Sequence, residues 1–493
     1  MSNKKLKNRQ PTIDTVLTFS GCRVGLSLKI QLDYIRSDLP HRWDGEVPSI
    51  STSQTSRKLP KSIREIPLLR VLNLIQTTFL GVGTAIGGVM FAILGKAVNV
   101  AGPSIIITFL IGALFALFVG VCYAELGAAV PSGAGGAVSF VKRAFGDKLP
   151  TFLAGWFNWI GSITDCAIGA IVFAFSIYYF VRWIEPFTLA AITLIVFALI
   201  NFKGTKTTSI AQLVLTAILI SSLFFYIAGS SFSFEGSRFA PLFPNGFLPT
   251  LFMVSYIFPT YAGYETITQL SEEVKTAGKT IPRALMLTLM FITLLFVGTA
   301  VATIGGAPQE VYVNSETPLQ DAANYFIGPI GGIVVSIVSI VAALSTVNGA
   351  MAGGTRIAFA LSRNNFLPSL FKKVHSKNRS PYTALALTTI LAIVFVLTRS
   401  VDLIVYAIAL GYSITAIIVI SALIRLRKSE PHLYRPFKVP LYPYVPIIAA
   451  TVLVIMIITL SIESLILGFA LGVIGIILLV ITKKIRKKQH ENR

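Results

Sequence analysis

The sequence predicts an all-α integral membrane protein of about twelve hydrophobic helices. Hydrophobic residues make up 54% of the 493 positions and charged residues only 13%, with a mean hydropathy of +0.75. Apolar runs close to the roughly 17–25 residues needed to cross hydrocarbon recur along the chain. Lys and Arg collect in every second loop between those runs, as they do in loops held on one membrane face. The formal charge of +21 therefore points to topology rather than to a nucleic-acid partner.

Residues 1–66 read as a basic, cytoplasmic leader of Lys, Arg, Ser and Pro that cannot bury enough surface to fold alone. The leader is expected to be disordered, with room for a short strand or helix around Val24–Ile35. The leader shows no apolar h-region, so no cleavable signal peptide is expected, and its charge suits anionic lipid. A transporter-sized apolar domain over residues 67–483 follows, then a basic tail over residues 484–493.

Within that domain the first five spans are Val71–Gly95, Ile105–Ala128, Leu149–Val181, Leu189–Asn201 and Thr207–Ile227. The next five are Leu248–Leu270, Ile281–Ile304, Tyr325–Leu361, Tyr382–Leu397 and Leu403–Leu423. Pro446–Ile462 and Leu465–Ile481 complete the set. Basic loops at Lys142–Lys148, Lys203–Lys206, Lys275–Arg283, Arg363–Arg379 and Arg425–Lys438 fall on the same side as the leader and tail. The longest opposite loop, Gly305–Asn324, carries Glu310, Glu316 and Asp321 without Lys or Arg. Both termini are expected in the cytoplasm of a cell-membrane protein.

Cys22, Cys122 and Cys166 lack the spacing of a zinc or redox pair. His41, His375, His432 and His490 all lie outside the apolar runs. No metal or cofactor is expected, although a proton or sodium ion could serve as coupling ion.

Two spans look interrupted. The first contains Gly81, Gly83, Gly87 and Gly88, each costing about 1 kcal/mol against alanine in a helix, and the expected break is Ile86–Gly88. Close helix packing through small residues would explain the same glycines. In the sixth span Pro259 has no N–H to donate to Ser255, and Gly263 loosens the next turn; a plain proline kink is the alternative. First and sixth are corresponding positions if spans one to five and six to ten are two halves, the arrangement of an inverted-repeat carrier. The restart near Gly88 would present free N–H groups to a carboxylate. Carbonyls freed around Phe258–Tyr261 would face an ammonium, so a zwitterion fits between the breaks.

At these residues the chain strongly resembles the amino acid–polyamine–organocation superfamily of permeases, from about Leu69 to Ile481. The glycine-rich first span is joined by Tyr123-Ala124-Glu125-Leu126-Gly127, Pro131-Ser132-Gly133-Ala134-Gly135-Gly136 and Glu272-Glu273-Val274-Lys275 with Ile281-Pro282-Arg283-Ala284. Asn348-Gly349 through Arg356, Ser362-Arg363-Asn364 with Leu367-Pro368, and Tyr434-Arg435-Pro436-Phe437-Lys438-Val439-Pro440 continue the series. The resemblance implies a leucine-transporter-like repeat of five plus five helices with two more at the C-terminus. It also implies symport or exchange of amino acids, polyamines or related cations by alternating access.

The same resemblance puts a substrate carboxylate on Ile86, Gly87, Gly88 and Val89, where the family commonly has glycine in place of Val89. It puts the ammonium on Phe258, Thr260 and Tyr261 beside Ala262 and Gly263, with Phe258 or Tyr261 as an aromatic gate or as simple packing. Some members carry a coupling lysine in the fifth span. The matching position here is Leu219, so that mechanism is not expected. Ser345 and Thr346 could join first-span carbonyls around sodium, or bond back to their own helix.

Asp165, near the middle of the third span, is an ionisable residue at costly depth. A proton carrier, a contact to a cationic substrate and a structural hydrogen bond are all open readings. For Glu265, just past the sixth-span break, gating and a static hydrogen bond stand side by side. A secondary amino acid transporter is the expected function, with a polyamine or organocation transporter or a transporter-like amino acid sensor as alternatives. A channel would need a continuous polar lining. No phosphate-binding loop for ATP and no recurring nucleophile–base set for an enzyme is present.

Overall fold

Polypeptide that has left water for hydrocarbon must pair its own amides and carbonyls, and helices do this throughout the protein. The computed structural model describes residues 70–86, 88–130, 135–178, 180–181, 183–313, 315, 317–460 and 462–491. The leader and the expected Val24–Ile35 element lie outside them, as does Gly87. Among the described residues there is no β-strand; one isolated parallel bridge joins Leu72 to Val274.

The first half runs α1 (Leu74–Ala85), α2 (Gly88–Ala101), α3 (Ile105–Ala129), α4 (Ala137–Phe145), α5 (Leu149–Tyr178), α6 (Pro186–Phe202) and α7 (Thr205–Gly229). Then come α8 (Phe247–Ile257), the single turn α9 (Thr266–Gln269), α10 (Ala277–Gly306), α11 (Gln309–Tyr312), α12 (Pro318–Phe326) and α13 (Pro329–Arg363). The C-terminal helices are α14 (Tyr382–Leu397), α15 (Val401–Ser429), α16 (Tyr444–Ile458) and α17 (Ile462–Glu491). Seven helical stretches among the described residues are long and apolar enough to cross a membrane, and four apolar helices of 10–17 residues add to them.

Local signals explain most of the ends. Asn73 and Gln76 close a capping box on α1. The Glu185 carboxylate accepts from Thr188 N at 2.7 Å at the start of α6, a bond that holds this carboxyl below its usual range. The eighth span starts at Pro329 rather than Tyr325, because Gly328 at φ +88° turns the chain after α12. The last helix continues to Glu491, through most of the basic segment expected as a tail.

Helix α5 is the axle of the domain, packed along α13 and α15. Its contact with α15 is backbone to backbone: a Cβ on Gly411 would meet Phe157 O at 2.7 Å and Gly161 N at 3.0 Å. Glycine is needed there for close approach rather than for turn geometry. α3 packs on α10, and α7 packs on both α1 and α13.

The end of the bundle that carries the basic loops is tied by ion pairs. Arg356 on α13 meets Glu273 at 2.7 Å with both side chains at or below 1% exposure. Glu125 on α3 is fully buried and takes Arg427 Nε at 2.7 Å, Arg435 Nε at 3.1 Å and the Val439 amide at 2.7 Å. Arg363 reaches Glu272, and Arg143 hydrogen-bonds Glu430, holding that carboxyl below its usual range. Buried pairs of this kind add little net stability when intact but leave an uncompensated charge when one partner is lost. Replacing Arg356 with Ala is therefore expected to cost about 3–5 kcal/mol, read as a clear fall in the unfolding midpoint of the detergent-purified protein; a midpoint at the wild-type value would refute the assignment.

Candidate functional site

Helical structure is interrupted at both expected positions. α1 ends at Ala85, Ile86 closes it with its N–H on Val82 O, and a new helix begins at Gly88. In the sixth span α8 stops at Ile257, a 3-10 turn covers Phe258–Tyr261, Ala262 is extended and Gly263 has φ +104°. This winding takes the carbonyls of Thr260 and Tyr261 out of the α-helical ladder. Pro259 sits in that turn, where its missing N–H is least costly.

The two breaks touch. A Cβ on Gly263 would lie 3.0 Å from Thr84 C and O and from Ala85 N, so the sixth-span backbone rests directly on the end of α1. A side chain here would be strained by its positive φ and crowded by main chain at once. Thr84 in turn occupies the space that a Cβ on Gly349 of α13 would need. The site is therefore a junction of α1, the sixth-span turn and α13, with Ile86 and Tyr261 fully buried and Thr260 nearly so.

Most of the predicted residues are described in or beside this junction. Gly88 begins α2, with Val89 in its first turn; Gly87 is outside the described residues. Thr260 turns its hydroxyl back onto Ile257 O at 2.7 Å. Tyr261 donates to Phe109 O at 2.8 Å and packs its ring on Phe296, which fastens the turn to α3 and α10. Phe258 is half-buried. Ser345 and Thr346 do not bond back to their own helix: they donate across to Gly83 O at 2.9 Å and Thr84 O at 3.4 Å.

A layer of polar side chains supports the α1 end, and the sequence reading passed over it. Gln212 Nε2 donates to Ser345 Oγ at 2.7 Å, Asn348 Nδ2 donates to Gln212 Oε1 at 2.8 Å, and Thr216 donates to Phe79 O at 3.0 Å. Gln212, Thr216 and Ser345 all crowd the position that a Cβ on Gly83 would take. Attention to Leu219 in this helix missed Gln212 two turns earlier; a buried glutamine in an apolar span was the available signal. Ser345 Oγ also receives an amide N–H, and the carbonyls of Gly83 and Thr84 each accept a hydroxyl.

Asp165 and Glu265 each have a hydrogen-bond partner. Asp165 Oδ2 accepts the Tyr412 hydroxyl of α15 at 2.5 Å, a partner that the sequence reading also missed. Glu265 Oε2 accepts the Gly263 amide at 3.0 Å, so this carboxylate holds the unwound turn in shape. Among the described residues no Lys, Arg or His pairs with either acid.

With the geometry in place, comparison with known proteins gives a consistent picture. The amino acid permease family profile matches residues 72–481. The chain is 28% identical to the methylthioribose transporter of Bacillus subtilis over 408 residues, 78% of this chain and 87% of that protein. It is 24% identical to the branched-chain amino acid permease of the same organism over 460 residues, 87% of this chain and 96% of the relative. An uncharacterized protein of Methanocaldococcus jannaschii is 29% identical over 342 residues, 67% of this chain and 77% of its own length. A helical membrane bundle with paired mid-span breaks, matched by one family profile over most of its length, belongs to the amino acid permease family of multi-pass membrane transporters.

Proposed function

We propose that this permease is a secondary active transporter of amino acids, a symporter or exchanger working by alternating access. The zwitterion is held where the first and sixth spans unwind, with twelve spans arranged as five plus five plus two and both termini in the cytoplasm of the cell membrane. The observation that carries the proposal is the contact of the two breaks at Gly263 and Thr84–Ala85. Unpaired amides at the start of α2 suit a carboxylate, with the helix dipole in the favourable sense. Carbonyls displaced from the ladder at Thr260 and Tyr261 suit an ammonium. A substrate that completes both sets binds tightly only when the two spans keep this relative position, which links binding to movement.

The ion-paired end of the bundle then acts as the closed cytoplasmic side. Glu273 and Glu125 join α13, α15 and the loop after the sixth span, and these contacts must part for inward release. Asp165 is the proposed proton carrier, with Glu265 gating the turn.

Uptake into proteoliposomes, measured with labelled neutral, cationic and acidic amino acids, polyamines and a neutral thio-sugar, with and without pH and sodium gradients, tests the substrate class. Saturable uptake of an amino acid is expected; uptake confined to polyamines or the thio-sugar, or binding without any uptake, overturns the assignment. Gly263→Ala should lower uptake by about tenfold or more, since a left-handed side-chain residue costs about 1–2 kcal/mol before any crowding is counted, with expression and oligomer profile retained. Asp165→Asn should abolish accumulation driven by a pH gradient while sparing substrate exchange. Unchanged pH dependence in that variant would remove Asp165 from coupling.

A further inference from the structure

We infer that the buried seam between α5 and the Glu265–Gln269 turn, with Asp165 on one side and Glu265 on the other, is one proton-binding unit in which the two carboxyl groups share a single proton while Tyr412 holds Asp165. The inference deepens the transport reading and relies on it for the use made of the proton. Asp165 and Glu265 are 7% and 5% exposed, with no cationic side chain paired to either among the described residues. Two carboxylates this buried cannot both stay ionised without a positive charge between them. The Tyr412 hydroxyl donates to Asp165 Oδ2.

The unit lies in a seam with unmet hydrogen-bonding groups. Asn158, Ser162 and Asp165 fall on one face of α5 at helical spacing. Glu265 and Gln269 do the same one turn apart across α9, and Gln269 Nε2 donates to Asn158 Oδ1 at 3.0 Å to join the two faces. Three fully buried atoms in this seam have no hydrogen-bond partner: Glu265 Oε1, Gln269 Oε1 and Asn158 Nδ2. Orphaned polar atoms are costly when buried, so their clustering marks a place built for something that arrives. The donors already on the two acids are the Tyr412 hydroxyl and the Gly263 amide. Such donors suit carboxyl groups and would repel a metal ion.

The remaining titratable groups that face the pair are Tyr123 and Cys122 from α3, Tyr264 beside Glu265, and Cys166 from α5. Each is neutral when protonated, and none supplies a positive charge. The proton therefore comes from water when the seam opens, forms an O–H bond on one carboxylate, and returns to water on the other side. The geometry that permits this is the glycine crossing: the Tyr412 ring lies 3.3 Å from the position of a Cβ on Gly161. Separation of α15 from α5 breaks the Tyr412–Asp165 bond and lets the two acids titrate apart. Tyr412 is thus a positioning residue for the proton.

Infrared titration of buried carboxyl groups in the purified, substrate-free protein reads the unit without any assumption about the transported solute. In Asp165→Asn and Glu265→Gln the midpoint of the remaining carboxyl is expected to move by about one pH unit or more from its wild-type position, about tenfold in proton affinity. Tyr412→Phe, which keeps the ring on Gly161, should displace both midpoints and the pH profile of uptake. Gly411→Ala should reproduce that displacement with all three groups present. Carboxyl midpoints that stay fixed when the neighbour or Tyr412 is changed would overturn the unit, whatever the uptake panel shows. Coupled midpoints in a protein that moves no amino acid would retain the unit and discard the transport reading.

Discussion

A membrane leaves no water at mid-depth to satisfy a main-chain amide, and this one constraint shapes the molecule. Unbroken helices meet it by themselves. The two interrupted spans cannot, and the fold answers with neighbours: Gly263 lies on the end of α1, Glu265 takes the Gly263 amide, and Ser345 and Thr346 reach over to the carbonyls of Gly83 and Thr84. Irregular backbone is braced here by neighbouring protein.

The same constraint explains why polar side chains, so scarce along the spans, gather in a few layers. Gln212, Asn348, Asn201 and Thr208 form a continuous chain beside α1, in which each buried donor finds an acceptor. Another layer, from Asn158 to Glu265, is incomplete, with three atoms unpartnered. Complete layers fix helices in place. Incomplete ones are where ligands or protons make a difference.

Much of this was legible in the residues. Apolar runs located the long helices, and glycine with proline located both breaks, because these signals are local. The short motifs around Glu125, Glu273, Arg356 and Arg435 also stood out, yet their meaning did not: only packing shows that they converge on one end as ion pairs. Tyr412 and Gln212 were missed since each looks like an ordinary member of its helix. Their importance lies in contacts across 247 and 133 positions of sequence, a separation that spacing within one span cannot reveal. Small boundary errors, as at Tyr325 and Pro329, came from apolar residues that continue past a turn.

Glu273 is gripped in two ways. Its main-chain oxygen accepts the amides of Val71 and Leu72 at 2.9 and 3.0 Å, while its carboxylate holds Arg356. One residue thereby fastens the entry to α1, the approach to α10 and the length of α13 into a common knot. Tension applied through the chain upstream of Val71 is delivered to this knot before it reaches α1, so a pull from the N-terminal side and a displacement of α13 act on the same joint.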